Sequence, residues 1–374
     1  MDSSNAIPAI LVTSGGSLHS TPPGGVQICT REFIASLNSA GFKLTILEWD
    51  TDRRPMTRLR RKLRAHPYAD RVPPRVIADV IRAQQSTGAR IILLSGVELA
   101  EIAKEIRDGL KSPDAKLVLF SYGLKSVDYL HNARVAGNLD STQTAFALGQ
   151  LLIAEANQRR YLDHVLCLAP FEVTFEEWLG AKKVDWIPRT VSSLEPPLVW
   201  RPTGDRIGCV CTLHHGPNAE GLLQFLMEFD RLAPRNVRFR LVGQPAEEGR
   251  QIAQQFRFVD YLGHLDDAAL REEAVSWNCF VHPLFCHAAG ASTKLATALA
   301  WQIPIVTTTV GRRGYVWRKG EIPTAEEPES LAGLTVRMLD LESASATREQ
   351  IKEVAASCPT LQDVGVSLRR MLLS

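Results

Sequence analysis

One rhythm dominates the chain: short apolar runs alternate with longer stretches of helical period, and the alternation breaks only once. Residues 9–13, 42–47, 91–95, 117–121 and 163–168 have strand character. Residues 26–40, 72–86, 99–110 and 146–160 carry apolar positions at helical spacing. Strands that alternate with helices predict parallel sheets covered by helices on both faces. The break spans 187–203, which has no period and contains Pro188, Pro196, Pro197 and Pro202. Such a segment reads as a linker. The rhythm then resumes, with strands at 207–212, 237–242, 259–262, 279–282 and 305–309. Helical stretches lie at 218–232, 247–255, 266–274, 293–300, 328–341 and 348–358.

A chain of 374 residues divides into about two domains. The expected layout is an N-terminal Rossmann-like domain over 1–190 and a C-terminal one over 204–358. A last helix, 359–374, would pack back on the first domain. In doubly wound sheets ligands sit beyond the carboxyl ends of the strands, so a cleft between the domains is the expected site.

Composition excludes several classes. Hydrophobic residues make up 45% and charged residues 22%, ordinary values for a globular cytosolic protein. The formal charge of +2 gives no global field for nucleic acid. The seven cysteines are odd in number and none has C-x-x-C spacing, so reduced thiols are expected. The polar start, residues 1–5, and the short apolar run 7–12 fit neither a secretion signal nor a membrane span. A cytoplasmic protein is expected.

The densest chemistry lies between Phe280 and Gly314. A strand ends at His282-Pro283, and the small residues Ala288-Ala289-Gly290-Ala291 then open a helix. Small side chains let a ligand approach the backbone, and free N–H groups at a helix start favour an anion. Ser292, Thr293 and Thr297 offer hydroxyls, and Lys294 offers a charge one turn in. His287 lies in the loop itself and, with Lys294, is a candidate catalytic residue. A diphosphate would satisfy this set, although a small-residue helix start that binds nothing has the same appearance. Asp50-x-Asp52 is the nearest approach to a metal-binding pair, and a solvated strand end explains it as well.

Within this frame the chain resembles the GT-B glycosyltransferases, in particular the retaining, sugar-nucleotide-dependent family numbered four. The likeness rests on Leu241-Val242-Gly243, Tyr261-Leu262-Gly263 and the acidic helix start Asp266-Asp267. It continues with Gly290, Lys294, Ala298, Ala300, Pro304, Val306 and Thr307 in register, and with Gly311 and Gly314. Pro23-Gly24-Gly25-Val26 and Gly41-Phe42-Lys43-Leu44 resemble the family's opening. Residues 161–168 and 184–188 resemble its last stretch before the hinge. The resemblance implies two Rossmann-like doubly wound domains around an interdomain cleft. It implies a UDP-, GDP- or dTDP-sugar as donor, no metal and no other cofactor. The donor would be held by Gly290–Lys294 and Thr297, with His214, Asn218 and Gly243 nearby. Gly24, Gly25, Tyr122 and His131 would line the acceptor or phosphate side. Transfer to a glycan, lipid-linked or small-molecule acceptor, with retention, is the implied reaction.

Two features depart from the family. Its paired glutamates would fall at Thr297 and at Ala289 or His287, and neither is present. Tyr122 stands where a histidine is frequent. A catalytically silent GT-B-fold binding or scaffolding subunit is therefore the alternative. The run Arg53, Arg54, Arg58, Arg60, Arg61, Lys62, Arg64 and Arg71, with Met56, Leu59 and Leu63, describes a basic amphipathic helix. Such a helix lies on the inner face of an anionic membrane, binds an anionic acceptor, or is simply solvated.

Overall fold

The computed structural model describes residues 6–19, 24–63, 71–191, 196–287 and 289–374, the side chains of 60–63 excepted. Pro23, Arg64 and Ala288, all invoked above, fall outside these residues, as do the side chains of Arg60, Arg61, Lys62 and Leu63. The chain forms two compact units. One runs to Pro188 and is completed by Thr360–Ser374; the other is Arg189–Pro359.

The first unit runs β1 (Ile7–Ser14), α1 (Gly15–His19), α2 (Gly25–Ser39), β2 (Phe42–Trp49), α3 (Pro55–Leu63) and α4 (Arg75–Thr87). It continues with β3 (Ile91–Ser95), a 3-10 turn at Val97–Ile102, α5 (Ala103–Gly109), β4 (Lys116–Phe120), α6 (Lys125–Val135) and α7 (Thr142–Arg159). It ends with β5 (His164–Cys167), α8 (Pro170–Trp178) and β6 (Val184–Trp186). The six strands form a parallel sheet in the order β2-β1-β3-β4-β5-β6. Ile10, Val12, Ile92, Leu94, Leu117 and Leu119 fill one core beneath it. Strands β3, β4 and β5 are covered on both faces, which is why they read as unbroken apolar runs.

The second unit runs β7 (Arg206–Thr212), α9 (Gly216–Leu232), β8 (Arg238–Gln244), α10 (Ala246–Gln255), β9 (Val259–Gly263) and α11 (Asp267–Ala274). Then follow β10 (Cys279–His282), α12 (Thr293–Trp301), β11 (Ile305–Thr307), α13 (Pro328–Arg337) and α14 (Leu341–Ser357). Its five strands, also parallel, have the order β11-β10-β7-β8-β9. Strand order therefore reverses between β7 and β10, and that point is where doubly wound sheets take their ligands. Phe225, Phe229 and Phe239 dominate the core on one face, and Trp277, Phe280 and Trp301 on the other.

Several elements differ from expectation for local reasons. The stretch 99–110 begins as a 3-10 turn and becomes α-helical only at Ala103. α14 starts seven residues before 348 because the Asp340 carboxylate accepts the Ser343 N–H at 2.9 Å and caps an earlier start. α8 opens on Pro170 at its first turn, a proline that punctuates a strand and also begins a helix. β6 has only three residues, too few to show a period.

The last helix, α15 (Leu361–Leu373), belongs to the first unit. The Ser39 hydroxyl donates to Leu361 O at 3.1 Å, and the Arg369 guanidinium donates to Ala40 O at 2.8 Å. At its far end the Lys183 ammonium donates to Met371 O at 3.0 Å, a cation at the negative end of a helix.

Candidate functional site

The site is built where β10 leaves the second sheet. His282 is the last residue of β10 and is buried. Its Nδ1 lies 3.2 Å from Thr307 Oγ1, and its Nε2 lies 3.2 Å from Ser292 Oγ. The Thr307 hydroxyl donates to His282 O at 2.9 Å, so toward the ring it acts as an acceptor. Nδ1 then carries the proton, and Nε2 accepts from the Ser292 hydroxyl. Ser292 Oγ in turn accepts the Lys294 N–H at 3.3 Å and caps α12. A neutral histidine thus ties the start of α12 to the ends of β10 and β11. Burial, and then the nearby Lys294 and Arg313 charges, hold its pKa well below the ordinary value.

The loop between β10 and α12 is fixed from its other side. Arg313 donates through Nε to Gly290 O at 2.7 Å, through Nη2 to Ala289 O at 3.4 Å, and through Nη1 to Val310 O at 2.9 Å. The Tyr315 hydroxyl donates to Ser292 O, and Arg189 Nη1 donates to Ala291 O at 3.5 Å. Gly290 has φ +69°, a backbone that favours glycine. The turn after β11 must come equally close. A Cβ on Gly311 would lie 2.1 Å from Thr307 Oγ1 and 3.0 Å from His282 Nδ1.

These bonds redefine two of the expected donor residues. The Ser292 hydroxyl is spent on His282 and on the cap, so it does not donate to a phosphate. The Thr297 hydroxyl donates to Thr293 O at 3.2 Å within its own helix. It is left as an acceptor toward a ligand. The Thr293 hydroxyl has no partner among the described residues.

Lys294 is partly buried, and no carboxylate pairs with its ammonium among the described residues. Its charge is felt by His282 at the end of β10 and by Cys209 and Cys211 on β7, which places it beside the reversal of strand order. Burial pushes the Cys211 thiol up to about 11 despite that charge. His287 is exposed in the same loop.

At the head of β7 and β8 the other expected residues are arranged as a turn. His215 caps α9, His214 is exposed, and Asn218 Nδ2 donates to Thr212 O at 3.5 Å. Gly243 fits because a Cβ there would lie 1.8 Å from Cys211 O. α9 carries its own close approach, since a Cβ on Gly221 would lie 2.4 Å from Pro283 O. The Gly221→Ala variant should lose about 1–3 kcal/mol in urea unfolding, as backbone must shift to admit the methyl. An unchanged midpoint would show that the contact relaxes freely.

In the first unit the expected acceptor-side residues are structural in part. Gly24 caps α2, its N–H donating to Gln27 Oε1 at 2.9 Å, and Gly25 is the first residue of that helix. The Tyr122 hydroxyl sits between Ser95 Oγ at 2.6 Å and Thr30 Oγ1 at 2.5 Å. Burial raises its pKa, so it stays a phenol. Ser95 ends β3, beside the reversal of strand order in this sheet. His131 is buried on α6, with Nδ1 3.4 Å from Arg134 Nη2.

His282, Arg313 and Tyr315 organise the loop, and sequence reasoning did not single them out. Arg312-Arg313 between two glycines was the available signal.

A pH effect follows from His282. Its folded pKa is depressed, so its contribution to stability is complete above about 6.5 and is lost as pH falls below that value. The loss should approach ~1.4 kcal/mol at one unit below. Urea unfolding at pH 7.5 and 5.5 checks this, with His282→Asn expected to show a shallower fall; equal falls would contradict it.

Residues 204–340 match the family described as Glycosyl transferases group 1. Sucrose-phosphate synthase from Thermosynechococcus elongatus superposes with a TM-score of 0.66 at 15% identity, covering 98% of each chain. The Anabaena HepE protein, solved in complex with UDP and glucose, gives 0.62 at 12% identity, covering 98% of this chain and 99% of that one. A glycosyltransferase from Rickettsia africae gives 0.59 at 13% identity over 99% of both. No curated protein sequence matches the chain. The second unit thus carries a glycosyl transferases group 1 domain, and the chain is an enzyme of the glycosyltransferase class with the GT-B fold.

Proposed function

We propose that the protein transfers a sugar from a nucleoside-diphosphate sugar, with retention, to a glycan, lipid-linked or small-molecule acceptor. The observation that carries this reading is the ammonium of Lys294, which has no partner among the described residues and lies beside the strand reversal of a glycosyl transferases group 1 domain. A partly buried cation without a counter-charge is costly, and an anionic ligand removes that cost. The N–H groups at the start of α12 face the same anion. As the bond to the sugar breaks, charge gathers on the departing diphosphate, and Lys294 together with these N–H groups stabilises it. Thr293 supplies a hydroxyl, Thr297 accepts from a ribose hydroxyl, and His287 lines the donor side.

The rigid support of the loop by Arg313, His282 and Tyr315 fits this role, since a phosphate cradle works only if its donors are held in place. The same domain match favours an active enzyme over a silent subunit. α3 exposes Met56 and Leu59 among arginines, which suits peripheral contact with an anionic membrane at the cytoplasmic face. Among the described residues no helix is long and apolar enough to cross a membrane.

Thermal unfolding with UDP, GDP and dTDP in turn tests the donor site. One nucleotide should raise the midpoint with concentration, because it binds only the folded state. No shift with any of the three would refute the reading.

A further inference from the structure

A second charged cleft lies in the first unit, beyond the carboxyl end of β2. It has a volume of about 440 Å³ and is lined by Asp50, Asp52, Arg53 and Arg54 on one side and by Pro73, Pro74 and Arg75 on the other. Its floor is a fixed turn. The buried Asp52 carboxylate accepts from the Arg54 N–H at 3.0 Å, from Arg54 Nη2 at 2.6 Å and from the Thr57 hydroxyl at 3.0 Å. The Asp52 N–H donates to Arg71 O at 2.9 Å, tying this turn to the segment that leads into α4. Arg54 holds the Asp52 pKa well below the usual carboxylate range. Asp52 is therefore spent within the turn.

The guanidiniums of Arg53 and Arg75 are exposed and have no partner among the described residues. Arg54 and Asp52 are already bonded to each other, so the two guanidiniums of Arg53 and Arg75 stand against the single carboxylate of Asp50 in this cleft. The Arg75 end of α4, a helix of 13 residues, adds the positive pole of its dipole. Planar guanidiniums from two segments, rather than one flexible lysine, suit the tetrahedral oxygens of a phosphate group. The volume lies within the range of small-ligand pockets and admits a phosphate with a sugar-sized or glycerol-sized group attached.

We infer that the Arg53–Arg54–Arg75 cleft binds a phosphate group, and that the acceptor is a phosphorylated molecule anchored there. The second half of this inference rests on the glycosyltransferase reading; phosphate binding itself does not. The phosphate can belong to a soluble phosphomonoester or to a lipid headgroup.

Direct binding to the full chain without nucleotide separates these sources. The probes are glycerol 3-phosphate, followed by calorimetry, and vesicles of phosphatidylglycerol in phosphatidylcholine, followed by sedimentation. Binding of the first identifies a soluble acceptor; binding of the vesicles alone, weakened by substitution in the cleft, identifies a headgroup. In the Arg53→Gln/Arg75→Gln double variant either affinity should fall at least about tenfold. The thermal shift with nucleotide should stay unchanged, because Lys294 is untouched. Absence of binding by both probes, or equal binding by the double variant, overturns the inference. Phosphate binding without any nucleotide shift would leave the cleft standing and remove the transferase reading instead.

Discussion

Lys294→Ala should abolish the thermal shift given by the nucleotide that stabilises the wild-type protein, and should lower kcat/KM by about 100- to 1000-fold. That range is the usual effect of removing one group that stabilises developing negative charge. The variant should unfold at the wild-type urea midpoint or slightly above it. Lys294 makes no ion pair among the described residues, and its charge opposes nothing that the fold needs. The two readouts therefore separate a binding role from a folding role. An unchanged shift would refute the assignment of the loop. A lost shift accompanied by a large fall in stability would mean that the ammonium supports structure rather than ligand.

The largest stability effect is expected in the first unit. Arg159 on α7 and Glu176 on α8 are both fully buried and form a bidentate pair, Nε to Oε2 at 2.7 Å and Nη2 to Oε1 at 2.8 Å. Glu176→Ala leaves a guanidinium in the core without its acceptor, which should cost about 3–5 kcal/mol. Replacing both at once, as Arg159→Met with Glu176→Leu, should recover most of that loss, because two desolvation penalties vanish together. Urea unfolding of the three variants makes the comparison. A double variant as unstable as Glu176→Ala would show that the pair contributes more than it costs to bury.

Much of this architecture was legible because its signals are local. Strands such as Ile91–Ser95 and Cys279–His282 are apolar throughout, and helices such as Gly216–Leu232 keep one apolar face. The elements that escaped are those whose signals are short or ambiguous. β6 has three residues, and Pro170 suits a strand end as well as a helix start. Residues of the candidate loop were found when they were adjacent in the chain. Arg313 and Tyr315 were not, because they reach Gly290 and Ser292 across more than twenty residues.

The sequence by itself determined the two-part α/β plan, the break near 187–203 and the loop that holds Lys294. Periodicity, proline and small residues act on the chain within a few positions, so their message needs no folding to be read. Tertiary structure alone decided what each side chain in that loop is free to do. It spent the Ser292 hydroxyl on His282 and turned the Thr297 hydroxyl to Thr293 O, while Lys294 was left without a counter-charge among the described residues. Hydrogen bonds and ion pairs are claimed by whichever partner the packing brings near, and strand order, not sequence order, set β7 beside β10.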